Sequence, residues 1–371
     1  MRIRHLKFSQ CFLLLSMFLG HGAMAHPPGL SSMDVNIGTR DLAVKVTFAV
    51  QDIEAFVPMD IDLDAEVTTQ ELTDAKPAIA DLIGHHLRVE VDGNPVKADA
   101  MGHVEFDDQN NAHVELLYRA HPEATLSIES TFLNLLPDGH QQFLTLREDS
   151  RVVVAEKMLK REDMAFTIHL KAVPKAEIQS VSAGSAFADF FKLGVEHILT
   201  GYDHLLFLFA LLAVTHSFWP ALKIITFFTI AHSITLALAG LDLFEIPSTI
   251  VEPLIAVTIM YVSLENIIRG ENVSGRHWLT FGFGLIHGFG FAGVLKEMDI
   301  STGNSGILLP LFSFNLGIES GQIAVTALVL PLIWWINSKS AHAHRILNAC
   351  SAAVGLMGGY WFLERTILTL P

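Results

Sequence analysis

The sequence is poor in cysteine, and the cysteines it has cannot pair within a processed chain. Cys11 and Cys350 are the only two among 371 residues. Cys11 lies in the apolar run of a predicted signal peptide, so cleavage would remove it. An intramolecular disulfide is therefore excluded. An exported domain of this chain would depend on its hydrophobic core or on a bound ion.

Positive charge is scarce in the first half of the chain. Residues 26–185 carry 13 Lys and Arg against 27 Asp and Glu, whereas residues 186–371 carry 8 against 12. An acidic domain repels nucleic acid and suits cations, so we exclude nucleic acid as a partner.

Two catalytic motifs are missing from the sequence. There is no GxxxxGK[ST] loop for nucleotide binding and no HExxH motif of a zinc hydrolase. Direct ATP drive and intramembrane hydrolysis therefore lack support, and we expect that the protein is not an enzyme.

The first 25 residues have the pattern of a secretory signal peptide. Arg2, Arg4 and Lys7 precede the apolar run Cys11–Gly20, and Ala23-Met24-Ala25 is a small-x-small cleavage site. We predict cleavage after Ala25 and export of the following domain to the periplasm of a bacterial cell. The alternative is a retained signal anchor.

Residues 26–174 read as a β-rich domain. Short runs with strand periodicity alternate with turn dipeptides such as Asp92-Gly93 and Asp138-Gly139. The pattern predicts an all-β, sandwich-like domain outside the cytoplasm. Residues 175–186 show no period and many small residues, which predicts a linker.

Residues 187–371 predict a bundle of six transmembrane helices. Each apolar run is long enough to cross a hydrocarbon layer of about 30 Å. Loops predicted to be cytoplasmic hold five Lys and Arg and the opposite loops hold two, in agreement with the positive-inside rule. The protein is therefore expected in the bacterial inner membrane. The spans are 187–214, 221–240, 248–268, 278–295, 306–336 and 346–363.

An acidic stretch in the β-rich domain, residues 60–71, resembles an EF-hand loop. Asp60, Asp62 and Asp64 occupy positions 1, 3 and 5, the carbonyl of Glu66 serves position 7, and Glu71 is the acid at position 12. Ala65 stands where the sharp turn of the loop favours glycine. The pattern predicts a calcium site. The alternative is a solvated acidic loop whose acids cap a helix.

Ionisable and amide side chains recur within the predicted spans. Such groups are expensive in a bilayer and indicate function by default. Histidine with carboxylate is ligand chemistry for a borderline divalent metal, and a proton relay uses the same residue types. The predicted metal residues are His197, Asp203, His204, His232, Glu252, His287 and Glu319, and the predicted supporting polar residues are Glu196, Glu265, Asn266, Asn315 and Gln322.

Several of these blocks resemble one family. "HILTGYDH" fits H-x5-D-H, the first-span signature of HupE/UreJ-type membrane proteins, and "FTIAHSITLAL", "FGFGLIHGFGFAGVL" and "FSFNLGIESGQ" are similar to other blocks of its larger, ectodomain-bearing branch. The resemblance implies a nickel or cobalt permease in which His197, Asp203, His204 and His287 carry the metal. A second histidine and a glutamate that follow His287 in the nickel-permease pattern are absent.

Two functions are consistent with these observations. The first is a permease for a divalent transition metal, nickel or cobalt, that is not driven by ATP. The alternative is a non-transporting membrane sensor or assembly factor whose periplasmic β-domain binds a protein partner.

Overall fold

A computed structural model provides the fold. It describes residues 29–368, except for gaps at 55, 63–66, 100–101, 108–110, 150–151, 171–174, 216, 242, 245, 271–274, 292–307 and 340–341. The predicted signal peptide, residues 1–25, lies outside the described residues.

The N-terminal part forms two β-sheets that share one core. The six-stranded sheet has the order β5-β6-β2-β1-β8-β9, and the four-stranded sheet has the order β10-β7-β3-β4. Buried side chains from both sheets, among them Met33, Val46, Val89 and Ile128, belong to one hydrophobic cluster, which is the packing of a sandwich. The strands are β1 Leu30–Ile37, β2 Leu42–Ala49, β3 Leu87–Val91, β4 Asn94–Val96, β5 His103–Phe106, β6 Asn111–Tyr118, β7 Thr125–Ser130, β8 Gln141–Glu148, β9 Val152–Lys160 and β10 Ala165–His169.

This β-rich domain is not all-β. It contains the short helix α1, Val50–Glu54, and the longer helix α2, Thr69–His86. Thr68 and Glu71 begin α2 with reciprocal side-chain to backbone hydrogen bonds, a capping box. Ala75, Ile79, Ala80 and Ile83 are buried at helical spacing, so α2 covers the sandwich core with one face.

The C-terminal part is helical. Its helices are α3 Lys175–Thr200, α4 Tyr202–Leu212, α5 Phe218–Gly240, α6 Ser248–Arg269, α7 Arg276–Gly290, α8 Leu308–Lys339 and α9 Ala343–Leu363. The residues predicted as a linker, 175–186, therefore lie within α3. Helix propagation is cheap once a helix has formed, so the apolar segment that follows extends the helix back through these residues.

Four helices, α5, α6, α8 and α9, are long and apolar enough to cross a membrane, and the bent pair α3–α4 counts as a fifth. Helix α7 has 15 residues, about 22 Å, and the predicted fourth span continues into residues 292–307, which are not described. Within the described part of the chain the expected count of six spans is not reached.

The β-domain packs against the helical part. Leu30, Phe143 and Met158 of the six-stranded sheet share a buried cluster with Phe190 of α3 and Phe314 of α8. The rings of Phe143 and Phe190 lie 5.1 Å apart. This contact places the sheet against α3 at Phe190.

Candidate metal centre at a helix break

The span that begins the helical part is broken in its middle. Helices α3 and α4 meet at Gly201 with a bend of 70°. A Cβ at Gly201 would lie 2.7 Å from the carbonyl oxygen of His197, so glycine is needed there. The predicted span 187–214 therefore consists of two helices that meet at Gly201 and not of one continuous helix. A broken helix exposes backbone dipoles at membrane depth, an arrangement that transporters use to bind ions.

Four histidines from four helices converge at this break. His197 of α3 and His204 of α4 have ring centroids 4.6 Å apart, and His287 of α7 lies 5.2 Å from His204. The ring of His232 on α5 is 6.1 Å from that of His204 and 6.2 Å from that of His197. All four side chains are buried. We call these four residues the imidazole cluster.

Six ring nitrogens of the imidazole cluster have no hydrogen-bond partner. A buried polar atom without a partner costs about 1–3 kcal/mol, and each such atom in a native structure requires an explanation. A cation would supply one for the four nitrogens that carry a lone pair, one on each neutral ring. The six atoms are both nitrogens of His197, both nitrogens of His232, Nε2 of His204 and Nδ1 of His287.

Two of the imidazoles have their protons fixed by neighbours. Asp203 Oδ1 lies 2.9 Å from Nδ1 of His204, so this nitrogen donates and Nε2 offers its lone pair. The hydroxyl of Thr258 donates to the carbonyl of Ile255 and so accepts from Nε2 of His287 at 2.9 Å. His287 then offers Nδ1. Asp203, predicted as a ligand, contacts His204 as an orienting acid.

Aromatic rings that the sequence analysis did not single out surround the imidazole cluster. Phe291 lies 4.6 Å from the ring of His197 and is stacked on Phe314 at 4.6 Å. Phe207 and Phe228 lie 4.8 Å and 5.3 Å from His287. These rings limit the access of water and raise the strength of electrostatic interactions in the cluster.

Close helix packing sets the position of His287. A Cβ at Gly288 would come within 2.7 Å of the carbonyl oxygen of His232, so α7 contacts the backbone of α5 at this point. Small residues permit such an approach between membrane helices. The neighbouring His287 is thereby brought to the same level as His232.

Other predicted metal residues make different contacts. Glu252 pairs with Arg365 at 3.5 Å, and Glu319 accepts a hydrogen bond from Thr226. Three of the five supporting residues are also bonded elsewhere: Gln322 to Thr229, Asn315 to the carbonyl of Leu311, and Glu196 to Gln141 of the β-domain. The structure therefore brings the histidines together and engages these carboxylates and amides with other partners.

The acidic loop forms a second group of possible ligands. Oxygens of Asp60, Asp62 and Glu71 lie within 4.8 Å of one another, and among the described residues no other three-residue group meets this distance. Asp64 and Glu66 lie outside the described residues. Hydrogen bonds from the backbone of Thr68 and Ile61 lower the pKa of Glu71. Glu71 thus combines the capping role with a place in the acidic group.

One comparison with known proteins bears on the whole helical part. The family model described as HupE / UreJ protein matches residues 173–365. The chain belongs to the HupE/UreJ family. This family is associated with nickel and cobalt transport. No curated protein matches the chain significantly.

The HupE/UreJ match covers α3 to α9 and excludes the β-domain. Family and apolar helices together show a multi-pass membrane protein. All four residues of the imidazole cluster lie inside the matched region.

Proposed function

We propose that the protein is a permease for a divalent transition metal, nickel or cobalt, in the bacterial inner membrane. The observation that carries the proposal is the imidazole cluster, where six buried ring nitrogens lack partners at a broken helix. Imidazole suits nickel, cobalt, copper and zinc. The lack of a nucleotide motif supports transport without ATP.

A metal path explains the imidazole cluster better than a proton relay does. A relay passes protons through hydrogen bonds of about 2.6–3.2 Å, directly or through one water, and no ring nitrogen of the cluster bonds directly to another ring of the cluster. No three ligand atoms of the cluster lie within 4.8 Å, as far as the structure describes the chain. A cation would therefore be held by few ligands at a time, which suits release as well as capture.

The chain's own residues divide the work of metal passage. His204 and His287 present fixed lone pairs, and Asp203 supplies negative charge beside them without occupying a ligand position. The phenyl rings keep bulk water away from the cluster, and the imidazole lone pairs replace part of the water that surrounds a hydrated cation. The β-domain, which we place in the periplasm, contacts α3 at Glu196 and covers the approach to the cluster.

Metal accumulation tests the proposal. Cells that produce the wild type should accumulate nickel or cobalt, and His204→Ala at equal membrane abundance should lose most of that gain. His277→Ala is the matched control, because the ring of His277 contacts Phe227 and Trp278 and none of the four histidines of the imidazole cluster. Equal accumulation by wild type and His204→Ala, for nickel, cobalt, copper and zinc alike, would refute the permease.

The sensor or assembly factor stays the competing proposal. The contact between Gln141 and Glu196 supports it to the extent that a docked β-domain can transmit a signal. A sensor of this kind would bind metal at the imidazole cluster without moving it. Bound nickel together with unchanged accumulation would favour this alternative.

A further inference from the structure

A second buried polar group lies at the far end of α6 and α7 from the imidazole cluster. It consists of Glu265 and Asn266 on α6 and Arg276 on α7, and we call it the arginine cluster. Arg276 is 5% exposed, Asn266 0% and Glu265 8%. A buried guanidinium inside a membrane bundle is costly and calls for a role.

Hydrogen bonds hold Arg276 in place. Its Nη2 donates to Oδ1 of Asn266 at 2.8 Å and lies 3.4 Å from the carbonyl oxygen of Ala210 on α4. Asn266 Nδ2 donates to the same carbonyl at 2.7 Å and lies 3.4 Å from Oγ of Ser351 on α9. The arginine cluster thus joins four helices at one level.

Part of the arginine cluster is not satisfied by these bonds. Nε and Nη1 of Arg276 and Oε2 of Glu265 are buried without a hydrogen-bond partner. The other oxygen of Glu265 contacts Arg269, an exposed side chain, at 3.3 Å. A purely structural tie would leave fewer of its buried donors unmatched. The adjacent helix offers an alternative acceptor, the unpartnered Oε2 of Glu265.

The register of both helices connects the arginine cluster to the imidazole cluster. Arg276 precedes His287 by 11 residues, about three turns or 16 Å along the same face of α7, with buried Thr280 between them. Glu265 follows Thr258 by seven residues on α6, and Thr258 contacts His287. Two facing stripes therefore run from the imidazoles to Arg276.

We propose that Arg276 is the cytoplasmic barrier of the permease, a deepening that rests on the function proposed above. Its fixed positive charge, latched by Asn266, repels a cation that leaves the imidazole cluster. Transfer of the guanidinium from Asn266 to Glu265 opens the path. Arg276 thereby controls when the metal ion passes to the cytoplasm, and it excludes other cations.

Flux measurements on the full-length protein in liposomes test this barrier. Vesicles enclosing a metal-sensitive dye report nickel and cobalt entry, and a second set reports potassium leak. Arg276→Gln should raise nickel entry and potassium leak about tenfold or more, which corresponds to about 1.4 kcal/mol in the barrier. Asn266→Ala, which keeps the charge and removes the latch, should raise both by less. Arg345→Gln, a change at an exposed arginine near the start of α9 and outside the arginine cluster, is the matched control and should behave as the wild type.

The outcomes separate the two proposals. In one outcome, Arg276→Gln or Asn266→Ala has the native melting temperature and wild-type fluxes, while His204→Ala abolishes nickel entry. That outcome would overturn the barrier and support the permease. A second outcome is that the wild type neither binds nor passes nickel or cobalt, while Arg276→Gln leaks potassium. That outcome would support the barrier and overturn the permease. If Arg276→Gln does not fold, the Asn266→Ala fluxes decide.

Discussion

At the residue scale, Asp203 sets the chemical state of the imidazole beside it. Its Oδ1 accepts from the backbone N–H of His204 at 2.8 Å and from the ring at 2.9 Å. Thr258 does the same for His287 through a hydroxyl instead of a carboxylate. The two histidines therefore present defined lone pairs before any cation arrives, which lowers the cost of reorganisation on binding.

His140, in the β-domain, predicts a pH dependence of stability. Burial lowers its pKa to about 3, while its ring contacts Ser31 Oγ at 2.9 Å. The folded state therefore binds fewer protons than the unfolded state between pH 6.5 and 3, and stability falls as pH decreases through that window. Asp52 Oδ2, which lies 3.6 Å from Nδ1 of His140, opposes part of this shift. From pH 7 to pH 5 the loss should therefore be at most about 2 kcal/mol.

Denaturant unfolding of the full-length protein at several pH values measures this loss. His140→Gln should flatten the dependence between pH 7 and 5, whereas His85→Gln, a change at an exposed ring, should leave it as in the wild type. Identical slopes in all three proteins would mean that His140 does not carry the effect.

At the element scale, burial on both faces conceals a strand from pattern analysis. β8 has the sequence QQFLTLRE, and seven of its eight residues are buried. One side of the strand, with Leu144 and Leu146, faces the sandwich core, while Phe143 contacts the bundle. Alternation of polar and apolar residues predicts half-buried strands such as β3 and cannot predict a strand covered by another domain.

Helix α2 and the acidic loop before it lead to a calcium prediction. Calcium should raise the melting temperature of the full-length protein by several degrees, because the oxygens of Asp60, Asp62 and Glu71 already lie together. The double change Asp60→Asn, Glu71→Gln should remove this shift while the glutamine keeps the capping bonds. Asp81→Asn, at the far end of α2, is the control. If calcium does not change the melting temperature of the wild type, the calcium site is refuted and Glu71 has only its capping role.

At the scale of the whole molecule, the β-domain and the bundle share buried surface. Glu196 connects to Gln141 across the contact at 2.9 Å, and Lys160 of β9 lies 3.9 Å from Asp189. The same surface includes Phe314, which stacks on Phe291 beside His197. Packed rings therefore connect the β-domain with the imidazole cluster.

Loss of the Phe143 ring should loosen this docking. Phe143→Ala removes a buried contact with Phe190, at a cost of about 3–5 kcal/mol, and should speed amide exchange in residues 186–200. Phe166 packs on the opposite sheet. Phe166→Ala should therefore destabilise the β-domain and leave amide exchange in α3 unchanged. Hydrogen exchange read by mass spectrometry distinguishes them. Equal protection of α3 in both variants would show that docking does not stabilise the helix.

The sequence by itself determined the division into a β-rich and a helical part, the family, and the histidines of the imidazole cluster, because periodicity, apolar length and motif spacing are local properties. Only the tertiary structure decided the break at Gly201, the orienting role of Asp203, the pairing of Glu252 with Arg365 and the unsatisfied Arg276. Each of these depends on which helices meet and at what depth. Contacts between distant segments are set by packing of the whole bundle, which no local pattern encodes.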